Sequence, residues 1–185
     1  MQRIIQSMAD KYRLPALELV ERVFTEADSP EEGRMVRSLV EEIRAKRYYL
    51  PELELIMLDG DRDEVVGYAM FSRFHIEGRY EDELLLLSPV AVKTEVQRQH
   101  ISKELIEYGF DRARAMGFSA VLVEGNPRNY NPRGFETAAD HGIVAGPNIH
   151  LPRVECLMVK ALTPGALDGI HGVVDYGFYD SLREE

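Results

Sequence analysis

An α+β domain with a mixed sheet is the architecture this sequence predicts. Three observations lead there: two amphipathic stretches open the chain, a charged hairpin follows, and a strand–helix–strand unit comes after it. Helix and strand do not alternate throughout, so a doubly wound sheet is not expected.

Residues 14–24 predict a first helix, with Pro15 near its start and Leu17, Val20 and Phe24 at helical spacing. The second helix has a start signal in Ser29-Pro30-Glu31-Glu32. Ser29 can cap, Pro30 suits the first helical position, and Glu32 can reach back to close a capping box. Met35, Leu39 and Ile43 make its apolar stripe.

Residues 53–58 and 64–76 read as strands joined by the turn Asp59-Gly60-Asp61. Asp59, Asp61 and Asp63 alternate like the start of a calcium loop. Glu64 stands where that loop needs glycine and Met70 where it needs glutamate, so the segment reads as a charged turn.

Residues 83–92 form a buried strand. A helix over 97–116 puts Ile101, Leu105, Tyr108, Ala113 and Met116 inside and Lys103, Glu104, Glu107, Asp111 and Arg114 outside; Gly117 stops it. Residues 119–124 are the next buried strand, and the βαβ order makes the two strands parallel neighbours. A loop with a short helix fills 125–135, and 154–162 is a late strand. Residues 1–162 read as one domain. Residues 163–185, rich in glycine, aromatics and acids, read as an extension packed on it or engaged in a homodimer contact.

The composition bounds the function. The chain has 185 residues, 45% hydrophobic and 29% charged, as a soluble globular protein does. Lys+Arg number 22 against 32 Asp+Glu, a net charge of −10. That surface suits neither nucleic-acid phosphates nor anionic lipid, so no nucleic-acid and no membrane partner is expected. A cationic amine substrate suits it, and solubility alone explains it equally well. Cys156 is the one cysteine, so no internal disulfide can form; in the apolar run 154–159 it reads as a buried structural thiol. Residues 1–13 hold no apolar stretch resembling a signal peptide, and the longest apolar run, 84–92, is broken by Ser88 and Pro89 and is too short to span a bilayer. A cytoplasmic protein is expected. His75, His100, His141, His150 and His171 show no metal-ligand spacing, and no P-loop or nucleophile elbow is present, so neither a metal nor a covalent enzyme intermediate is expected.

Two places in the middle of the chain could carry chemistry. Pro89 lies inside an apolar strand pattern and cannot complete a central ladder. It marks either a strand end or a bulge where strands part and leave backbone groups for an extended ligand. The segment from Val92 to Ser102 is a strand end followed by a helix start, with Arg98 within it. It is either an ordinary connection or a phosphate site built from helix N-terminal amides.

The segment Leu87-Ser88-Pro89-Val90-Ala91-Val92, followed by Gln97-Arg98-Gln99-His100-Ile101-Ser102, resembles the acetyl-CoA motif of the GNAT superfamily of N-acyltransferases. Gly125-Asn126-Pro127, then Tyr130 and Gly134-Phe135, resembles that superfamily's next motif, and order and spacing agree across 84–135. The nearest type is the bacterial predicted N-acetyltransferases. The resemblance implies a GNAT-like fold: a mixed, mostly antiparallel sheet with a central parallel pair splayed at a bulge, flanked by helices. It implies transfer of an acetyl group from acetyl-CoA to a primary amine of a small molecule or peptide, by direct attack. Backbone groups of Val90, Ala91 and Val92 would pair with the pantetheine arm. Amides of the turn Gln97, Arg98, Gln99, His100, Ile101 and Ser102 would hold the pyrophosphate. Tyr130 would protonate the departing thiolate, and Asn126 either contacts the cofactor or shapes the loop.

The sequence also departs from the family pattern. Relatives carry Gln/Arg-x-x-Gly-x-Gly or Ala at the turn; here His100 and Ser102 replace the glycines. His100 either crowds a pyrophosphate or, protonated, binds it. Some relatives place a glutamate base where Leu86 stands. Glu124 is the substitute, with Glu83, His75 and a water chain as further candidates. A catalytically weak or inactive CoA-binding and sensing member of the same fold is the alternative. A partner-binding domain using the aromatic tail 174–179 is the other.

Overall fold

The computed structural model describes residues 1–182; residues 183–185 of the expected C-terminal extension lie outside the described residues. In chain order the elements are β1 (Arg3–Ser7), α1 (Arg13–Ala27), α2 (Pro30–Ala45), β2 (Glu54–Asp59), β3 (Glu64–Arg73), β4 (Leu84–Val92), α3 (Ile101–Ala115), β5 (Ala120–Glu124), α4 (Pro127–Tyr130), β6 (Glu136–Thr137), β7 (Ile143–Ala145), β8 (Leu157–Ala161) and β9 (Gly172–Val174). They fall in two compact units. Among the described residues the first takes Met1–Ser72, Ser88–Arg112 and 179–182; the second takes Arg73–Leu87 and Ala113–Phe178.

In the first unit the second helix starts as its signal predicts. Ser29 has an extended backbone, its hydroxyl oxygen accepts the Glu32 N–H at 3.1 Å, and Pro30 occupies the first turn. β1, β2 and β3 pair antiparallel in sequence, with a register shift between Met57 and Leu58. The Lys93 N–H after β4 donates to the Val66 carbonyl at 2.9 Å, which fastens the end of β4 to β3. Each acid of the β2–β3 turn has a protein partner. Asp59 accepts the Asp61 N–H, Asp61 the Gln2 N–H, and Asp63 the Lys11 ammonium and the Tyr12 hydroxyl.

α3 begins at Ile101, four residues later than the periodicity predicts, because Arg98 and His100 take left-handed backbone angles (φ 61° and 65°) that no helix accommodates. Its buried stripe is Ile101, Leu105, Ile106, Gly109, Phe110 and Ala113; Tyr108 is only partly covered and Met116 is exposed. A Cβ on Gly109 would stand 2.2 Å from the Phe71 ring, so glycine permits the close approach of α3 to β3 there.

A buried ionic centre joins α2 to β2. Glu54 is fully buried and accepts from Arg44 at 2.5 Å, from the Tyr68 hydroxyl at 2.8 Å and from the Tyr49 hydroxyl. Burial, with Glu54 adding to it, pushes the Tyr49 phenol up to about 12 and the Tyr68 phenol well above its ordinary value. Asp180 and Ser181 are pinned by a second acid: the Glu42 carboxylate accepts the backbone N–H of Asp180 at 2.5 Å and of Ser181 at 2.8 Å, together with Lys46 and the Ser181 hydroxyl. Tyr179, fully buried, packs edge-on to Tyr48 at 6.5 Å.

In the second unit β4 and β5 pair in parallel, Leu84, Leu85 and Leu86 against Ala120, Val121 and Leu122, as the βαβ reading requires. β5 pairs antiparallel with β8, and β8 with β6. The Phe74 N–H donates to the Leu84 carbonyl at 3.0 Å. β3 ends at Arg73 rather than Ile76, beyond which an isolated bridge joins Ile76 to Arg79. β8 begins at Leu157 because Val154–Cys156 is a 3-10 turn; Cys156 is buried and free. β9, from the extension, pairs in parallel with β7. Antiparallel pairs predominate, one parallel pair lies within the main sheet, and helices flank the strands, which is the α+β class predicted. Among the described residues no helix is long and apolar enough to cross a membrane.

Candidate active site

The residues singled out by the sequence fall in both units, and each group is built by its own neighbours. The parallel ladder of β4 with β5 stops at Leu86, before Pro89, as a parting of strands requires. On β4 beyond that point Ala91 is buried, while Val90 and Val92 are half-buried on the alternate face. Val92 gives its carbonyl to the Gln97 side-chain amide, which donates at 3.1 Å and ties the turn back to the strand.

The turn is held from the other side by α1. Glu95 accepts from Arg22 at 2.5 Å, and the Thr94 hydroxyl donates to Glu26. Those contacts hold both carboxyls below their ordinary range, Glu26 chiefly through Thr94 and Glu95 chiefly through Arg22. The Lys93 ammonium pairs with Glu64.

His100 therefore stands where the family pattern has glycine and has the backbone that glycine would take. Its carbonyl accepts the Glu104 N–H at 3.0 Å, so it caps α3, and its side chain is exposed. A left-handed residue followed by the first residue of a helix turns successive N–H groups toward one concave side, an arrangement that suits an anion. Ile101 and Ser102 supply the next amides. Glu104, the acid of the first turn, is paired with Arg3. Arg98 and Gln99 are exposed.

In the second unit Asn126 caps α4: its side-chain oxygen accepts the Arg128 N–H at 3.0 Å. Tyr130 ends α4. Its ring meets Phe135 edge-on at 5.6 Å and lies against Gly125, where an added Cβ would stand 2.6 Å from Tyr130 Cε2. Burial pushes the Tyr130 phenol above its ordinary value, with Arg133 opposing, so it holds its proton at neutral pH.

Glu124, at the end of β5, is exposed and accepts the Tyr176 hydroxyl at 2.9 Å. Of the other base candidates, Glu83 is exposed and its carbonyl accepts the Ser119 and Ala120 N–H groups. His75 accepts the Gly78 N–H on Nδ1 at 3.1 Å, which leaves its proton on Nε2 as a donor. Leu86 is buried. The sequence offers Tyr176 only as part of the aromatic tail 174–179, a contact surface in the partner-binding reading, and not as a partner of Glu124. Among the described residues no group of three or more metal-ligating side chains converges.

Comparison with known proteins bears on this arrangement. The acetyltransferase (GNAT) family model matches residues 15–135. The uncharacterized N-acetyltransferase YhbS of Escherichia coli strain K12 is 32% identical over 126 residues, 67% of this chain and 71% of the relative. The uncharacterized N-acetyltransferase YjhQ of the same strain is 33% identical over 134 residues, 71% of each. The crystal structure of Escherichia coli YhbS in complex with CoA superposes with a TM-score of 0.81 at 26% identity, covering 95% of this chain and 90% of that one. A GNAT family acetyltransferase from Brucella melitensis in complex with acetyl-CoA shares the fold, with a TM-score of 0.72 at 20% identity over 96% of this chain and 98% of that one. The strand whose parallel ladder stops before Pro89, the left-handed turn at His100 and the Tyr130–Phe135 pair thus sit in a chain that belongs to the acetyltransferase (GNAT) family.

Proposed function

We propose that this chain is an N-acetyltransferase that moves the acetyl group of acetyl-CoA to a primary amine by direct attack. The observation that carries the reading is the left-handed backbone at His100, at the head of α3. It gives a histidine-bearing turn the amide arrangement that glycine gives in the family pattern, so loss of the glycine does not cost the turn its anion-binding amides. The CoA complex of YhbS supports the same donor.

In this reading the backbone of Val90, Ala91 and Val92 receives the pantetheine arm. The amides from Gln97 to Ser102 hold the pyrophosphate, with Arg98 adding charge. A backbone amide at Val90 or beside it polarises the thioester carbonyl. The amine lone pair attacks the carbonyl carbon, the C–N bond forms, and the C–S bond breaks. Tyr130, a phenol that burial pushes further above neutral pH, gives its proton to the thiolate and regains one from solvent. Glu124 takes the proton lost by the amine, directly or through water. Glu124 is favoured over His75 because the proton-accepting nitrogen of His75 is already engaged.

The test is a thermal-shift titration with acetyl-CoA, followed by thiol release across an amine panel. Saturable stabilisation with amine-dependent thiol release is expected. Saturable stabilisation without release on any amine favours the sensing role, and no stabilisation at all counts against a CoA ligand.

A further inference from the structure

The second unit carries a cluster that the reaction as described leaves largely unused. Tyr176, in the C-terminal segment, donates its hydroxyl to one oxygen of Glu124 at 2.9 Å. The other oxygen of that exposed carboxylate has no hydrogen-bond partner among the described residues. Beside this pair runs a row of rings. Phe74 meets Tyr176 edge-on at 6.2 Å, Phe178 lies 5.5 Å from Phe74, and His75 lies 4.3 Å from Phe178 at an interplanar angle of 31°.

The segment is placed, not loose. Val174 is fully buried at the end of β9 and its carbonyl accepts the Gly146 N–H at 2.9 Å. Asp175 accepts the Gly177 N–H at 2.8 Å, closing a turn around Tyr176. Phe74 is buried, whereas His75, Tyr176 and Phe178 are partly exposed, so the rings form a supported apolar surface that ends at a half-engaged carboxylate.

We propose that Glu124, Tyr176, Phe178, His75 and Phe74 form the acceptor subsite, and that it takes a primary ammonium carried on an apolar carbon skeleton. The claim rests on the acetyltransferase reading above. Its chemistry is complementary at both ends: the carboxylate oxygen accepts an ammonium N–H, and the ring surface covers the carbon chain and attracts the cation electrostatically. Tyr176 is a positioning residue. It holds the carboxylate so that the open oxygen meets the ammonium, and the proton removed from the nitrogen passes to Glu124 before the lone pair attacks.

The probe is 2-phenylethylamine, with 2-phenylethanol as its uncharged counterpart, titrated calorimetrically into the full chain. The amine is expected to bind at least tenfold more tightly than the alcohol. Glu124→Gln and Phe178→Ala are each expected to weaken amine binding about tenfold, from the loss of a charge-assisted hydrogen bond and of ring surface respectively. Tyr176→Phe, which removes only a hydroxyl, is expected to lower kcat for the amine about tenfold through the lost carboxylate bond while the KM for acetyl-CoA stays unchanged. A merely structural role for Tyr176 would disturb both constants together. Amine binding no tighter than alcohol binding, or indifference to Glu124→Gln, overturns the proposal. Amine-dependent thiol release that is insensitive to all three variants sinks the subsite and leaves the acetyltransferase standing. Variant-sensitive amine binding with no thiol release on any amine does the reverse.

Discussion

Replacing Glu54 with leucine strands a positive charge inside the first unit. Arg44 is 6% exposed at its side chain and Glu54 not at all, and their atoms approach to 2.5 Å. Removing the carboxylate leaves the guanidinium buried without its counter-charge, a change that costs about 3–5 kcal/mol when one partner of a buried pair is lost. The Tyr49 and Tyr68 hydroxyls lose their acceptor at the same time. Those losses share one network and do not simply add. Glu54→Leu is therefore expected to lower the unfolding free energy by about 3–5 kcal/mol, measured by urea denaturation at neutral pH from the shift in midpoint at unchanged slope. The double variant Arg44→Met with Glu54→Leu removes both charges and should recover about 2 kcal/mol or more of the loss. A single-variant loss below about 1 kcal/mol would refute the argument, because it would mean that Arg44 finds water or another partner. A double variant as unstable as the single one would shift the cause from stranded charge to packing.

Three further changes probe the chemistry and the chain end. Ser102→Pro deletes one amide from the head of α3 at a position where proline is tolerated; acetyl-CoA should bind about tenfold more weakly with little change in Tm, and unchanged affinity would remove that amide from the cradle. Gly125→Ala puts a Cβ 2.6 Å from the Tyr130 ring, so the ring must move; kcat should fall with the KM for acetyl-CoA nearly constant, read by thiol release. At Glu42 burial opposes ionisation, but Lys46, Ser181 and the amide of Asp180 outweigh it and hold the carboxyl at about 2 against an ordinary 4.5. Its contribution is therefore present above pH 4.5 and lost as pH falls toward 2, so Glu42→Gln should be less stable than wild type at neutral pH, with the gap in urea midpoints closing across that window.

Local signals reached far into this fold. Ser29 and Pro30 start α2 where they stand, Gly117 closes α3 with φ 91°, and the strand–helix–strand order sets β4 and β5 parallel. They failed where the backbone does something its residues do not advertise. Arg98 and His100 take left-handed angles without being glycine, so the helical periodicity ran straight through them and set the helix start at 97. The apolar spacing also put Tyr108 and Met116 on the inner face, whereas Ile106 and Phe110 are buried there.

Long-range pairings were beyond reach for a different reason. Glu54 reads as an ordinary charged residue at a strand edge until Arg44, Tyr49 and Tyr68 close around it. Glu124 and Tyr176 lie 52 positions apart, and only the folded chain brings the phenol to the carboxylate. At His100 the sequence departs from the family pattern, and the structure shows what backbone goes with that departure. The backbone there is left-handed (φ 65°), a region glycine favours, and the side chain is exposed.

The steady-state kinetics of Tyr130→Phe test the central claim most directly. The variant keeps the ring that packs on Gly125 and Phe135 and removes only the hydroxyl. With acetyl-CoA and any accepted amine, kcat should fall at least about a hundredfold while the KM for acetyl-CoA stays within about threefold of wild type, the pattern of a lost general acid. A Tyr130→Phe enzyme as fast as wild type would contradict the account.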